Sequence, residues 1–176
     1  MSFVNHADIH GDNRTGDIVH DEEVFVSSIT PCVGAIVGVV LCENEHAAYT
    51  AAHLVQIEYE LLLPTIFTID DAIAHQSYLG DERCLRQGDV DKAFAEADQV
   101  LEGTVAVGGQ EHFYLETNCC LAIPSSDDQE LTLYSSTQNP SKTQELTALA
   151  LGYEANHITC HVKRMGGGFG GKESRS

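Results

Sequence analysis

Basic side chains are scarce in this sequence. Its 176 residues carry 27 Asp and Glu against 9 Lys and Arg, a formal net charge of -18. So negative a chain repels polyanions, which excludes nucleic acid and anionic membranes as partners. No apolar run approaches the ~18 residues that a membrane-spanning helix needs. The opening MSFVNHADIHGDN has neither a basic stretch nor an apolar one, and does not read as a secretory leader. The sequon Asn13-Arg14-Thr15 therefore carries no expectation of glycosylation. Six cysteines (Cys32, Cys42, Cys84, Cys119, Cys120, Cys160) form no CxxC and no regular spacing. They read as reduced thiols of a cytoplasmic protein, and none fits an iron–sulfur ligand pattern. Repeats and low-complexity segments are missing too. At 43% hydrophobic residues, the composition is that of a globular chain with one domain or two small ones.

What is present is concentrated at the end. Four of the nine basic residues (Lys163, Arg164, Lys172, Arg175) lie within the last 14 positions. Surface solvation accounts for this, or else this end meets an anionic ligand or an acidic surface of a larger protein. The same end holds Gly166-Gly167-Gly168-Phe169-Gly170-Gly171-Lys172-Glu173. Gly166, Gly168 and Gly171 satisfy G-x-G-x-x-G, but no helix and later acidic residue follow before Ser176. Gly166, Gly171 and Lys172 resemble the start of a P-loop, but Glu173 stands where Ser or Thr must reach the magnesium, and its carboxylate would repel a triphosphate. A flexible turn between strand and helix is the bland reading. The density of glycine favours the other one: a backbone wrapping a bulky ligand, with Phe169 at its apex. The run stops where a further element should follow, so the sequence reads as cut short.

Local patterns outline an α+β chain. Residues 34–43, GAIVGVVLCE, read as a buried strand. Asn44 opens a helix whose apolar stripe is Ala47, Ala48, Ala51, Ala52 and Val55. Val55, Ile57 and Tyr59 then alternate with polar residues as a half-buried strand, completing a strand–helix–strand unit. Thr68 caps a short helical turn over Ile69–Ala74, with Asp70 and Asp71 at its N-terminus. Residues 75–91 are loop-like. A short helix near 91–97 and an alternating strand over 99–107 follow. ELTLYS, residues 130–135, is a strand and 136–139 a loop. Asn139 caps a helix over 140–151 with Pro140 at its first position and Gly152 as its stop. Ile158, Cys160 and Val162 alternate as the strand that enters the glycine run.

Several side chains invite chemical readings. His157, Cys160 and His161 suggest a metal, but on a strand Cys160 faces away from the two histidines, and a core cysteine beside surface histidines is the better reading. Adjacent Cys119 and Cys120 are poorly spaced for a metal for the same reason. Glu111, His112 and Glu116 form an acid/base cluster or a hydrogen-bonded core segment, and the second is favoured. Gln138 precedes a helix N-terminus, where its amide either donates to an oxo group or oxyanion or serves as a secondary cap.

GGQEHFYLET (108–117), STQN (136–139) and KRMGGGFGGKES (163–174) together resemble the molybdenum-cofactor part of the xanthine dehydrogenase and aldehyde oxidase family. Weaker likeness, in the same order, runs through VNHADIHGDNRTG, ITPCVGAIVGVV, YELLLPTIFTIDDAI and GDVDKAFAEADQVLEG, so the resemblance covers nearly the whole chain. Its implied fold is a partial α/β hammerhead domain over 1–65, a linker over 66–80 and the first part of a molybdopterin-binding domain over 81–176. By resemblance, Gln138 faces an oxo ligand of molybdenum. Phe169 lines the site beside the metal, Gly170 lies against the cofactor and Glu173 hydrogen-bonds a purine. Gln138 and Phe169 are thus near the metal without ligating it. Aldehyde oxidases usually carry an apolar residue at the Glu173 position, so Glu173 favours the xanthine dehydrogenase branch. Asn118 departs from the histidine usual there.

The implied activity is hydroxylation of hypoxanthine and xanthine to urate, with water as the oxygen source. FAD and iron–sulfur clusters belong only to the complete family protein. The general base has no counterpart in this chain, so no catalytic residue is assigned and the chain alone is expected to be inactive. The implied partners are a purine or aldehyde substrate and the remainder of the enzyme, which is a homodimer in the cytoplasm or peroxisome. The rival readings are a non-catalytic remnant serving as an interaction module, and an aldehyde-oxidase-type activity.

Overall fold

The computed structural model describes residues 1–16, 18–126 and 129–175. In chain order the elements are β1 (Ser2–Asn5), β2 (Arg14–Thr15), β3 (Glu22–Glu23), β4 (Gly38–Leu41), α1 (Glu45–Leu54), α2 (Ile69–Ala74) and α3 (Val90–Glu96). Then come β5 (Cys120–Pro124), β6 (Leu131–Ser135), α4 (Pro140–Leu151) and β7 (Ile158–His161). The chain divides into two compact units, Met1–Val55 with Gln110–Ser176, and Gln56–Gly109.

In the first unit, β5 runs antiparallel to β6, and β6 runs parallel to β7 with Leu131 opposite Ile158 and Tyr134 opposite His161. Parallel neighbours need a crossover, and α4 supplies it. The sequence sets both ends of α4. The Asn139 side chain accepts from Lys142 N–H, Pro140 takes the first turn, and Gly152 stops the helix at φ 71°, a left-handed conformation glycine adopts without strain. Leu133 from β6, Ala148 from α4 and Ile158 from β7 form the buried core, with Leu131 and Cys160 against it.

The amino-terminal segment docks on this βαβ unit. A helix leaves its last carbonyls without internal partners. Here Gly11 N–H donates to Ala150 O at 3.0 Å and Asp12 N–H to Leu149 O at 2.9 Å. Gly11 makes this approach possible, because a Cβ there would lie 1.9 Å from Leu149 O. The amide of Asn13 bridges to the main chain of Phe25, donating to its carbonyl and accepting from its N–H. Elsewhere in this unit, β1 pairs antiparallel with β4, and the Asn44 side chain caps α1 by accepting from Ala47 N–H.

The strand expected over 34–43 is only four residues long and half-buried at best. Residues 55–60 form no strand, which removes the second half of the expected strand–helix–strand unit. Alternation makes a strand only when a neighbour completes its hydrogen-bond ladder, and none lies beside this segment among the described residues. Four strands escaped the sequence reading. β1, β2 and β3 are too short for a period to show, and β5 reads as a brief apolar run ended by Pro124.

In the second unit, α2 has the expected bounds. Thr68 Oγ1 accepts from Asp71 N–H. α3 is capped by Asp89, whose side chain accepts from Lys92 N–H. The strand expected over 99–107 is irregular backbone. None of the residues from Gln56 to Gly109 is buried.

Candidate functional site

In open α/β arrangements ligands bind beyond the carboxyl ends of parallel strands. Two segments leave the carboxyl ends of β6 and β7 here. Ser136-Thr137-Gln138-Asn139 joins β6 to α4, and the glycine loop Gly166–Gly171 lies a few residues beyond β7. Because β6 and β7 are parallel neighbours, both loops emerge on one side and meet. Gln138 N–H donates to Lys172 O at 2.8 Å. The Gln138 side chain then closes the contact, with Oε1 accepting from Gly170 N–H at 2.9 Å and Lys172 N–H at 3.3 Å.

The five glycines of the loop do different jobs. A Cβ on Gly166 would lie 2.6 Å from Glu116 Cβ, on Gly168 2.5 Å from Gln138 Oε1, and on Gly171 2.6 Å from Tyr114 Cε1. Those three are small because the chain's own atoms press on them. Gly167 and Gly170 have φ of 101° and 92°, where glycine is favoured. Only Gly170 combines that conformation with space, since a Cβ there would meet nothing nearer than His112 Nε2 at 4.0 Å. Phe169 stands at the apex with φ 51° and 74% of its surface exposed.

Beneath the loop lies a polar network. Lys172 is fully buried, at 0% exposure. Its Nζ donates to Glu116 Oε2 at 2.9 Å and Ser136 Oγ at 2.7 Å, and sits 4.8 Å from the centre of the Tyr114 ring. Glu116 Oε2 also accepts from Gly166 N–H at 2.7 Å and Ser136 Oγ–H at 2.7 Å. Donation by Gly166, then by Lys172 and Ser136, holds the Glu116 carboxyl down from its usual 4.5 to about 2. Thr137 Oγ1, also buried, donates to Lys172 O and accepts from Asn139 N–H.

The resemblance singles out Gln138, Phe169 and Gly170 one by one, and the structure sets Gln138 against Gly170 with Phe169 next in the chain. Glu173 follows directly; its N–H donates to Gly170 O at 3.3 Å and its side chain is exposed. Gly170 and Glu173 line a cleft of about 550 Å³ together with Ile18, Val19, Glu22 and Arg175. Across it Arg175 makes a two-pronged ion pair with Glu22, which lowers the Glu22 carboxyl below its ordinary value. Asn118 Nδ2 donates to Arg175 O at 3.4 Å. The acid/base alternative for Glu111, His112 and Glu116 does not assemble. Glu116 is committed to the loop network, and no hydrogen bond joins the three among the described residues. The sequence places Lys172 among the cations that could face a ligand; its side chain is instead turned inward. The favoured hydrogen-bonded role of Glu116 holds, but its partners Ser136, Gly166 and Lys172, 20, 50 and 56 residues away, leave no signal in the sequence. Only the fold joins them.

These residues suit part of a large oxyanion-bearing cofactor. Both loop N–H groups take Gln138 Oε1, so the amide offers its NH2 end, which has no hydrogen bond among the described residues. A donor amide, an open glycine backbone and an exposed aromatic ring together make one wall.

A crossover unit with paired loops at its strand ends is a ligand-binding architecture, and comparison gives it a lineage. Residues 74–176 match the molybdopterin cofactor-binding domain, and residues 1–62 match the aldehyde oxidase and xanthine dehydrogenase a/b hammerhead domain. The chain is 51% identical to the xanthine dehydrogenase/oxidase of Gallus gallus over 176 residues, all of this chain and 13% of that protein. It is 48% identical to the xanthine dehydrogenase of Calliphora vicina over 166 residues, 94% of this chain and 12% of that protein. A crystal structure of quinoline 2-oxidoreductase from Pseudomonas putida 86 superposes with a TM-score of 0.76 at 25% identity, covering 98% of this chain and 24% of that one. The chain belongs to the xanthine dehydrogenase and aldehyde oxidase family, and spans 13% and 12% of the length of these two relatives.

Proposed function

We propose that this chain forms one wall of the molybdenum-cofactor and substrate site of a hydroxylase that oxidises hypoxanthine and xanthine to urate. The observation that carries the reading is the meeting of Gln138 with Gly170 beside Phe169, with Glu173 in the adjoining cleft. When bound, the cofactor supplies the two-electron oxidation that installs water-derived oxygen on the substrate carbon. The chain's own residues bind and orient. Gln138 offers N–H donors toward an oxo group, Gly170 admits the cofactor against its backbone, and the Phe169 ring walls the reacting centre. Glu173 pairs with the ring N–H or keto groups of the purine and steadies charge developing there. The apolar Ile18 and Val19 on the cleft give a flat heterocycle a surface to lie on.

The general base and the remaining cofactor contacts then come from the rest of the enzyme, and this chain by itself is inactive. In the complete protein, FAD and iron–sulfur centres would carry the electrons away. The domain division runs 1–65, linker 66–80, 81–176, and the interval between the two family matches, which end at 62 and resume at 74, supports it. The six free cysteines suit the cytoplasm, and a homodimer of the complete enzyme is what the family resemblance implies.

The test is a chimera in which these 176 residues replace the matching stretch of the Gallus gallus enzyme. It should retain molybdenum and turn over xanthine. Glu173→Val removes one or two charge-assisted hydrogen bonds, so kcat/KM for xanthine should fall about tenfold to several hundredfold. Aldehydes lack the polar edge and should lose much less. Equal losses for both substrates at matched molybdenum content would remove Glu173 from the substrate site. A fully active chimera with Gln138→Ala would remove Gln138 from the cofactor wall.

A further inference from the structure

Glu116, Ser136 and Lys172 remain outside the cofactor wall and the substrate cleft, yet they hold the most buried charge of the first unit. Lys172 is the joint between two layers. Its main chain grips Gln138, donating N–H to Oε1 at 3.3 Å and accepting from Gln138 N–H at 2.8 Å. Its side chain reaches the other way, into Glu116 and Ser136 at 2.9 and 2.7 Å. Glu116 in turn takes Gly166 N–H and so pins the start of the loop, while Gly170 N–H pins its far end on Gln138.

A Gln amide has two nearly isosteric ends, and only its surroundings decide which faces outward. Reversed by a half turn, Gln138 would set its NH2 against two N–H donors, an arrangement without an acceptor. The N–H groups of Gly170 and Lys172 therefore fix the amide with its donor end outward, but only while the loop stays where Glu116 and Lys172 hold it. Removing the Glu116 charge leaves the fully buried Lys172 ammonium uncompensated, and removing Lys172 takes away the joint itself, so in either case the loop would have to move.

We infer that Lys172 and Glu116 are positioning residues: their ion pair, buried at Lys172 and part-exposed at Glu116, locks the glycine loop, and the loop locks Gln138 as a hydrogen-bond donor toward the ligand. The inference rests on the reading of the loop as a cofactor wall for its consequence, but the lock itself is a property of the ligand-free chain. That separates the two experimentally.

The experiment follows hydrogen exchange of assigned amides in the full chain by NMR, with Lys172→Met and Glu116→Gln as variants. In the unsubstituted chain the N–H groups of Gly166, Gly170 and Lys172 should be protected. In Lys172→Met, Gly166 and Gly170 should exchange about tenfold faster or more, and the Gln138 side-chain NH2 resonances should move toward free-peptide positions. The amides of α4 should keep their protection. Glu116→Gln keeps an acceptor for Gly166 but leaves the buried Lys172 ammonium without its counter-charge, so it should give the same pattern. Unchanged loop exchange in both variants overturns the inference. So does a loop unprotected in the unsubstituted chain, or equal loss across the loop and α4 in Glu116→Gln, which marks a general stability role. If Lys172→Met does not fold, Glu116→Gln decides alone. In the Gallus gallus chimera, Lys172→Met should retain less molybdenum than the unsubstituted chimera. Faster loop exchange in the chain with unchanged molybdenum retention in the chimera sinks the cofactor reading and leaves the lock standing.

Discussion

Glu116 does at residue scale what no local pattern assigns to it. One carboxylate oxygen collects three donors, from the loop start, from β6's exit and from a buried cation. Its carboxyl is displaced from 4.5 to about 2, chiefly by Gly166 N–H and then by Lys172 and Ser136. The sign follows from the direction. A folded-state value below the unfolded one means the charged form stabilises the fold. That contribution is complete above about pH 4.5 and fades as the pH falls toward about 2. A titration of the Glu116 side-chain carbonyl carbon should have its midpoint near 2 rather than near 4.5, and Lys172→Met should shift it upward. A midpoint at the ordinary value would mean the three donors do not engage it together. Gly168 is the steric counterpart. Gly168→Ala places a methyl 2.5 Å from Gln138 Oε1, so it should loosen the same loop without touching any charge.

At the scale of elements, α4 holds the site together because both of its ends are occupied. Asn139→Ala should cost about 1 kcal/mol through the lost cap on Lys142 N–H. Gly11→Ala should cost roughly 1–3 kcal/mol, because the new methyl cannot share space with Leu149 O and two helix carbonyls lose their donors. Denaturant midpoints of the two variants check this. A Gly11→Ala midpoint within error of the unsubstituted chain would mean the amino-terminal segment does not cap α4. The contrast among elements explains what was legible. α2 and α4 could be read from Thr68, Asn139, Pro140 and Gly152, since a cap lies within three residues of what it satisfies. The alternation over 55–60 and 99–107 looked equally clear and made no strand, because a strand's partner is chosen at long range.

For the whole molecule, the two units are unequal. The first has a core of Leu133, Ala148 and Ile158. In the second, Leu79, Leu85 and Leu101 are essentially fully exposed, and its helices have six and seven residues. Isolated helices shorter than roughly 12–15 residues are marginal in water, and apolar surface left wet forgoes about 25 cal/mol per Å². The isolated chain should therefore melt broadly or associate through its apolar surface. Amides of α2 and α3 should exchange near free-peptide rates while those of β6, β7 and α4 are protected. A sharp cooperative melt of a monomer, with α2 protected, would contradict this.

The sequence by itself determined whatever depends on near neighbours or on a long motif. That includes the caps and ends of α4, the bounds of α2, the strands at 131–135 and 158–161, and the family, carried by GGQEHFYLET, STQN and the glycine run. Through the family resemblance it also singled out Gln138, Phe169 and Gly170. Tertiary structure decided the rest. Parallel pairing of β6 with β7 set two distant loops side by side, turned Lys172 inward onto Glu116, and oriented the Gln138 amide. Those outcomes depend on which chain segments meet after folding. Hydrogen-bond partners separated by thirty to fifty residues leave no periodicity and no spacing along the chain to read.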